Sequence, residues 1–289
     1  MTSPVLVVHG GAGGHNDELT ERLSEYREAL VGALQAGGRA LRDGREAMEA
    51  VQAAVMAMED FPLFNAGHGA TLCDDGEVEL SASAMRGSDR AAGAVAVVRR
   101  TRNPVAAAAA MLDEPEVLLA GDRADAFAAA RGLEQRDPSE FVTERQRRRL
   151  STRHAGDGGT VGAVCLDGSG LLAAATSTGG LQGQRRGRVG DSPVIGAGTW
   201  ADRQVAVSCT GKGEAFVRAG AARLLGALVA HGVGLENAAR TVLDEVAQCG
   251  GEGGLIVVDA RGQVALPFST EAMPRGVWRP GEPPVVEIP

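Results

Sequence analysis

The apolar runs of this sequence are short, and glycine closes them. Val5–Val8 runs into His9-Gly10-Gly11-Ala12-Gly13-Gly14, Leu171–Ser177 into Thr178-Gly179-Gly180, and Gln204–Cys209 into Thr210-Gly211-Lys212-Gly213. Glycine makes up 41 of 289 residues without any fixed period, which excludes collagen and asks for tight turns and close backbone approaches. Apolar runs of that length bounded by turn residues are strands. Between them lie helical patterns: Leu19, Leu23, Tyr26, Leu30 and Leu34 share one face, Gly44–Glu59 is rich in Ala and Met and ends at Asp60-Phe61-Pro62, and Asp122–Arg131 is a third. Further strands are expected at Glu77–Met85, Ala91–Val98, Leu255–Asp259 and Gln263–Leu266, a short strand or extended link at Val117–Ala120, a helix opening at Asn103-Pro104, and two helices over Phe216–Leu228 and Leu235–Val246. With 44% apolar and 23% charged residues, the chain can bury one full core. The expected class is α+β, one domain over 1–289 with helices outside two stacked, mainly antiparallel sheets.

Several function classes drop out. A formal net charge of -8 opposes nucleic-acid or anionic-membrane binding, and six Phe, two Trp and one Tyr are too few for base-stacking platforms. Cys73, Cys165, Cys209 and Cys249 form no C-x-x-C pair, so neither a zinc cluster nor a thioredoxin-like pair is indicated. The longest apolar run, Val105–Leu112, is far below the ~20 residues of a membrane span, and residues 1–8 lack the basic and apolar regions of a signal peptide. A cytoplasmic protein with a small-molecule substrate, no nucleic acid and no membrane is expected. No G-x-S-x-G, H-E-x-x-H, complete P-loop or G-x-G-x-x-G occurs. Residues 132–159, dense in Arg, Glu and Asp, read as a polar helix plus an exposed linker.

Three threonines stand beside glycine at strand ends: Thr160, Thr178 and Thr210. A hairpin centred on Gly168-Ser169 places Thr178 opposite Thr160, within one residue, where Cβ atoms lie ~4.5–5.5 Å apart. A second hairpin centred near Trp200-Ala201 places Asp191 near Thr210. A threonine hydroxyl needs an adjacent base to act as a nucleophile, and the α-amine of a chain beginning with Thr serves, with a pKa of ~7.7–8.0. For Thr160 that requires a cut after Gly159, whose missing Cβ permits the strained geometry such a cut needs. By itself the motif reads as the ordinary start of a strand, which β-branched residues commonly form. Arg188 and Asp191, three residues apart in a glycine-bounded loop, suit the carboxylate and ammonium of one amino acid, although a plain surface ion pair has the same sequence.

Taken together, six segments in order resemble the plant-type asparaginase and isoaspartyl peptidase family of N-terminal-nucleophile hydrolases: Val7–Gly13, Phe64–Gly67, Gly159–Val164, Ala175–Gly180, Gly187–Pro193 and Ser208–Glu214. The resemblance implies a four-layer αββα sandwich that cuts itself at Gly159–Thr160 into an α chain, 1–159, and a β chain, 160–289. It implies Thr160 as nucleophile, Thr178 as its hydrogen-bond partner, Arg188 and Asp191 as substrate anchors, Thr210 and Gly211 as the oxyanion site, and Asn65 close to the nucleophile. It further implies hydrolysis of L-asparagine or β-aspartyl dipeptides without a cofactor for the chemistry, and a dimer of cleaved αβ units. A structural sodium ion is implied on the backbone carbonyls of Met58, Glu59, Phe61, Phe64, Ala66 and His68. Ser81 and Arg86 stand where relatives usually carry acidic residues, and the linker before Thr160 is short; both bear on substrate preference and cleavage rate. The alternatives are a glycosylasparaginase-like enzyme and a non-maturing amino-acid-binding homologue without catalysis.

Overall fold

The computed structural model describes residues 2–15, 17–152 and 159–288. In chain order the elements are β1 (Val5–His9), α1 (Asp17–Glu21), α2 (Leu23–Arg42), α3 (Ala47–Glu59), β2 (Leu80–Arg86), β3 (Ala92–Val98), α4 (Pro104–Ala110), β4 (Leu118–Ala120), α5 (Asp122–Ala130) and α6 (Glu144–Ser151). After the linker come β5 (Val161–Leu166), β6 (Leu172–Thr178), β7 (Thr199–Ala201), β8 (Val205–Gly211), α7 (Gly213–Ala219), α8 (Ala221–Ala230), α9 (Leu235–Gln248), β9 (Gly253–Asp259), β10 (Val264–Ala265), β11 (Arg275–Trp278) and β12 (Val285–Glu287).

The strands form two sheets, one ordered β12-β11-β1-β5-β6-β2-β3-β4 and the other β10-β9-β8-β7. Among the strand pairings of the described residues, β3–β4 alone is parallel. Helices α2, α3 and α4 cover the outer face of the large sheet, and α8 and α9 that of the small one. Period-two alternation builds the layers: Leu6 and Val8 of β1 join the core under α2 and α3, while Val5 and Val7 join the core between the sheets. Strand β5 repeats this, Ala163 and Cys165 facing the helices, Val164 and Leu166 facing the second sheet. This is the expected α+β, four-layer αββα sandwich. In the large sheet β5 and β6 lie between β1 and β2, so segments from before and after residue 159 interleave.

The first hairpin has the expected register, with Val161 opposite Ser177 and Gly162 opposite Thr176, so Thr160 and Thr178 face each other at its open end. The second does not. Thr199 pairs with Ser208 and Trp200 with Val207, because the chain turns at Asp202, not at Trp200-Ala201. Asp202 fixes the turn itself: its Oδ1 accepts from the N–H of Gln204 at 2.8 Å and of Val205 at 3.1 Å. Strand pairing therefore does not set Asp191 beside Thr210. The helix expected over Phe216–Leu228 is broken into α7 and α8 at Gly220, which takes a left-handed φ of 56°. Strands β11 and β12 have no counterpart in the sequence reading. Pro274 and Gly276 interrupt the apolar pattern, yet β11 pairs with β1 through Val7–Val277.

The polar stretch 132–152 contains the expected helix, α6, but it is anchored. Phe141 is buried in the main core, and Gln146, also buried, donates from Nε2 to the Gly69 carbonyl at 2.8 Å. Residues 153–158 of the expected linker lie outside the described residues.

Candidate active site

Thr160, placed at the mouth of the β5–β6 hairpin, is almost fully buried. Its hydroxyl donates to Thr178 Oγ1 at 3.1 Å. Thr178 Oγ1 also accepts from Gly180 N at 3.0 Å and is 3.4 Å from the Gly159 carbonyl oxygen. That oxygen accepts a stronger bond from Asn65 Nδ2 at 2.7 Å. Asn65 is itself clamped: Nδ2 donates to Gly180 O at 2.7 Å, and Oδ1 accepts from Thr71 N at 2.8 Å. A planar amide held at both ends cannot rotate away from the peptide it grips.

The glycine turn after β1 connects the remaining pieces. Gly11 has φ +109°, and a Cβ there would lie 2.8 Å from Gly159 Cα and 3.1 Å from Thr160 N. Its neighbour Ala12 donates from the backbone to Thr210 Oγ1 at 3.1 Å. One turn thus touches both the Gly159–Thr160 peptide and the fully buried third threonine. Gly211 follows Thr210 with φ +138°, a conformation that side chains rarely adopt.

Asp191 reaches this region by its loop. Its Oδ1 lies 2.8 Å, and Arg188 Nη2 3.0 Å, from the position a Cβ on Gly213 would take, so Gly213 is the space both side chains share. Burial pushes the Asp191 carboxyl up to about 7, and its Oδ2 has no hydrogen-bond partner among the described residues. Arg188 is held from behind, Nε donating to Glu214 Oε1 at 3.0 Å and Nη1 to Gln184 Oε1 at 3.4 Å. A buried carboxylate oxygen without a partner, beside a steadied guanidinium, is an arrangement that suits a zwitterion. The sequence reading missed Glu214 and Gln184 as supports of Arg188, and Thr71 as the support of Asn65. The Glu214 bond crosses from the Arg188 loop to α7, while Gln184 and Thr71 lie four and six residues from the groups they support, in irregular segments with no periodic pattern to mark them.

The two departures sit in different places. Ser81 pairs with Thr178 across β2 and β6 and lies near the site, its Oγ accepting from Val97 N at 3.2 Å. Val97 sits in a bulge of β3 with φ 58°, strained for a β-branched residue. Arg86, about 17 Å further along β2 by strand rise, is spent on surface pairs with Asp89 and Asp113. It does not reach the site.

The segment after α3 folds its carbonyls inward. A Cβ on Gly67, which has φ +54°, would collide with the Glu59 carbonyl oxygen, and one on Gly69 with that of Phe64. Met58 O accepts one backbone N–H, from Phe61 at 3.1 Å, and Ala66 O one from Gly69 at 3.2 Å, each leaving a second lone pair. Such an oxygen-only set suits a hard cation. Among the described residues no group of three His, Cys, Asp or Glu could hold a metal.

A family model described as asparaginase matches residues 2–158 and 151–286. The chain belongs to the asparaginase family. It is 43% identical over 311 residues to an isoaspartyl peptidase of Escherichia coli strain K12, covering 100% of this chain and 97% of that one. It is 40% identical to an isoaspartyl peptidase/L-asparaginase of Bos taurus and 39% identical to one of Homo sapiens, each over 293 residues, 97% of this chain and 94% of the relative. In this asparaginase-family chain the matched span runs through every residue of the site, from the glycine turn to Thr210.

Proposed function

We propose that this chain is an amidohydrolase that hydrolyses the side-chain amide of L-asparagine and the β-linked peptide bond of isoaspartyl dipeptides, with Thr160 as nucleophile after a cut at Gly159–Thr160. The observation that carries the reading is the Thr160–Thr178 hydroxyl pair set against a Gly159 carbonyl gripped by Asn65.

In the precursor, Thr160 Oγ attacks the Gly159 carbonyl carbon. Negative charge grows on the oxygen that already accepts from Asn65 Nδ2, where a fixed donor lowers the barrier without reorganising. The C–N bond breaks, the hydroxyl proton passes to the Thr160 nitrogen, and water hydrolyses the ester. Gly159 then ends the α chain as a carboxylate, and Thr160 begins the β chain with a free amine. That amine takes the Oγ proton when Thr160 attacks a substrate amide. Arg188 binds the substrate's α-carboxylate and Asp191 its α-ammonium, while Thr210 and Gly211 receive the oxyanion. Ammonia or an amino acid leaves with the proton, and water releases aspartate from the Thr160 ester.

The carbonyls of Met58, Glu59, Phe61, Phe64, Ala66 and His68 fit a sodium ion, which would hold the loop bearing Asn65 and takes no part in the chemistry. The four free cysteines support a cytoplasmic location. The assembly is a dimer of cleaved αβ units.

Intact mass with N-terminal sequencing tests the reading. Two fragments, the second starting Thr160-Val161-Gly162, are expected, together with asparagine hydrolysis. Thr160→Ala should remain a single species of 29.6 kDa without activity. An active T160A enzyme would end the proposal.

A further inference from the structure

Between the two sheets, directly behind the site, lies a run of buried polar side chains in an otherwise apolar layer. His9 Nε2 is 3.0 Å from Ser208 Oγ, and Ser208 Oγ is 2.7 Å from Thr176 Oγ1. Thr176 Oγ1 is 2.6 Å from Thr199 Oγ1, which is 2.7 Å from Ser83 Oγ. Ser83 Oγ ends the run on the Ser192 carbonyl at 2.6 Å. His9, Ser83, Thr176, Thr199 and Ser208 are all fully buried. The run crosses from the large sheet to the small one twice. It starts where the His9 ring lies against the Thr160 backbone and ends on the residue next to Asp191.

Its proton order follows from one end. A carbonyl oxygen only accepts. Ser83 is placed to donate to either the Ser192 carbonyl or Thr199 Oγ1, but a hydroxyl has a single hydrogen. With that proton on the carbonyl, the order that gives every contact a proton runs from Thr199 to Ser83, Thr176 to Thr199, Ser208 to Thr176, and His9 Nε2–H to Ser208. In this order the Thr176 proton goes to Thr199 at 2.6 Å and not to the Gly198 carbonyl, 3.3 Å from the same oxygen. Room for the first link is made by Gly162, where a Cβ would fall on Ser208 Oγ and His9 Nε2. With its ring desolvated, His9 stays neutral, which a one-way chain requires.

We propose that His9, Ser208, Thr176, Thr199 and Ser83 form a unidirectional hydrogen-bond chain that fixes His9 as the Nε2–H tautomer and ties the nucleophile strand to the loop carrying the substrate anchor. These are positioning residues for the hydrolysis proposed above, and the kinetic arm of the test rests on that reading. The tautomer does not. Long-range ¹H–¹⁵N NMR on protein labelled in histidine reads it directly. The Nε2–H form is expected in the unsubstituted protein, and an Nδ1–H form would overturn the proposal.

Thr176→Val removes the forward acceptor of Ser208 in this chain. The Ser208 hydroxyl must then turn onto His9 Nε2, and His9 should switch to Nδ1–H; an unchanged tautomer in a folded T176V protein would overturn the chain's control of the ring. Ser83→Ala frees the Ser192 carbonyl and should raise KM for asparagine about tenfold, the size of one lost buried hydrogen bond, with kcat within twofold. Equal falls in kcat and unchanged KM would refute the link to the anchor loop. If the unsubstituted protein hydrolyses nothing, the proposed function fails while the tautomer result stands by itself.

Discussion

At the scale of single residues, the chemistry is set by which groups burial leaves unpaired. Asp191 is held up to about 7 by desolvation, so in the free enzyme it loses its charge as pH falls through neutrality. Only the carboxylate can hold an ammonium. The expected result is that kcat/KM for asparagine falls as pH drops below about 7, a profile that reports the free enzyme. Asp191→Asn should lower kcat/KM about a hundredfold or more, as expected when one partner of a buried charge pair is removed; a steady-state pH series on both proteins checks this. Glu59 titrates in the opposite service. Burial pushes its carboxyl up to about 8, against the bonds it accepts from Ser177 Oγ at 2.6 Å and Val105 N at 3.0 Å. Because its folded pKa lies above the unfolded one, the stability it contributes is full below about 4.5 and is lost as pH rises toward 8. Glu59→Gln keeps the acceptor and removes the titration. Its melting temperature should therefore decline less than that of the parent between pH 5 and 8, by a few kcal/mol of stability at the upper end. Parallel curves for the two proteins would contradict this.

At the scale of elements, the site depends on strand register and on glycines that let strands approach. Gly162→Ala would force a methyl into the His9–Ser208 contact. Thermal unfolding should show a loss of about 1–3 kcal/mol, the range for overpacking a buried position, with asparagine hydrolysis falling as well. A protein of unchanged Tm would mean that the sheets separate there more easily than their packing implies. The Thr160–Thr178 pairing is legible in the sequence because Asp167-Gly168-Ser169-Gly170 admits one tight turn and the flanking runs have equal length. The second hairpin is not, since its turn is set by the Asp202 side chain capturing two backbone N–H groups, a choice that apolar pattern does not record. Asp191 still arrives beside Arg188 and Gly213, by a loop path that spacing could not supply. The buried chain from His9 to Ser83 was invisible for the same reason: its members come from five strands, and each alone is an ordinary strand residue.

At the scale of the whole molecule, the glycine-rich punctuation, the alternating strands and the order of motifs carry the sandwich, while β11 and the edge strand β12 hide behind Pro274 and Gly276. The carbonyl-lined loop of residues 58–70 predicts a cation dependence. Exchanging sodium for choline at constant ionic strength should lower Tm by several degrees and reduce activity through Asn65; identical melting in both salts would remove the ion from the account. The interleaving of β5 and β6 between β1 and β2 has a consequence for the protein's later life. Were the chain cut after Gly159, the second piece would keep the small sheet but the large sheet would belong to both pieces, so dilution should not part them and they should not trade places with pieces of another molecule. Two variants mixed after maturation should keep their original halves indefinitely. A defect inherited in one half therefore stays with the molecule in which it was made.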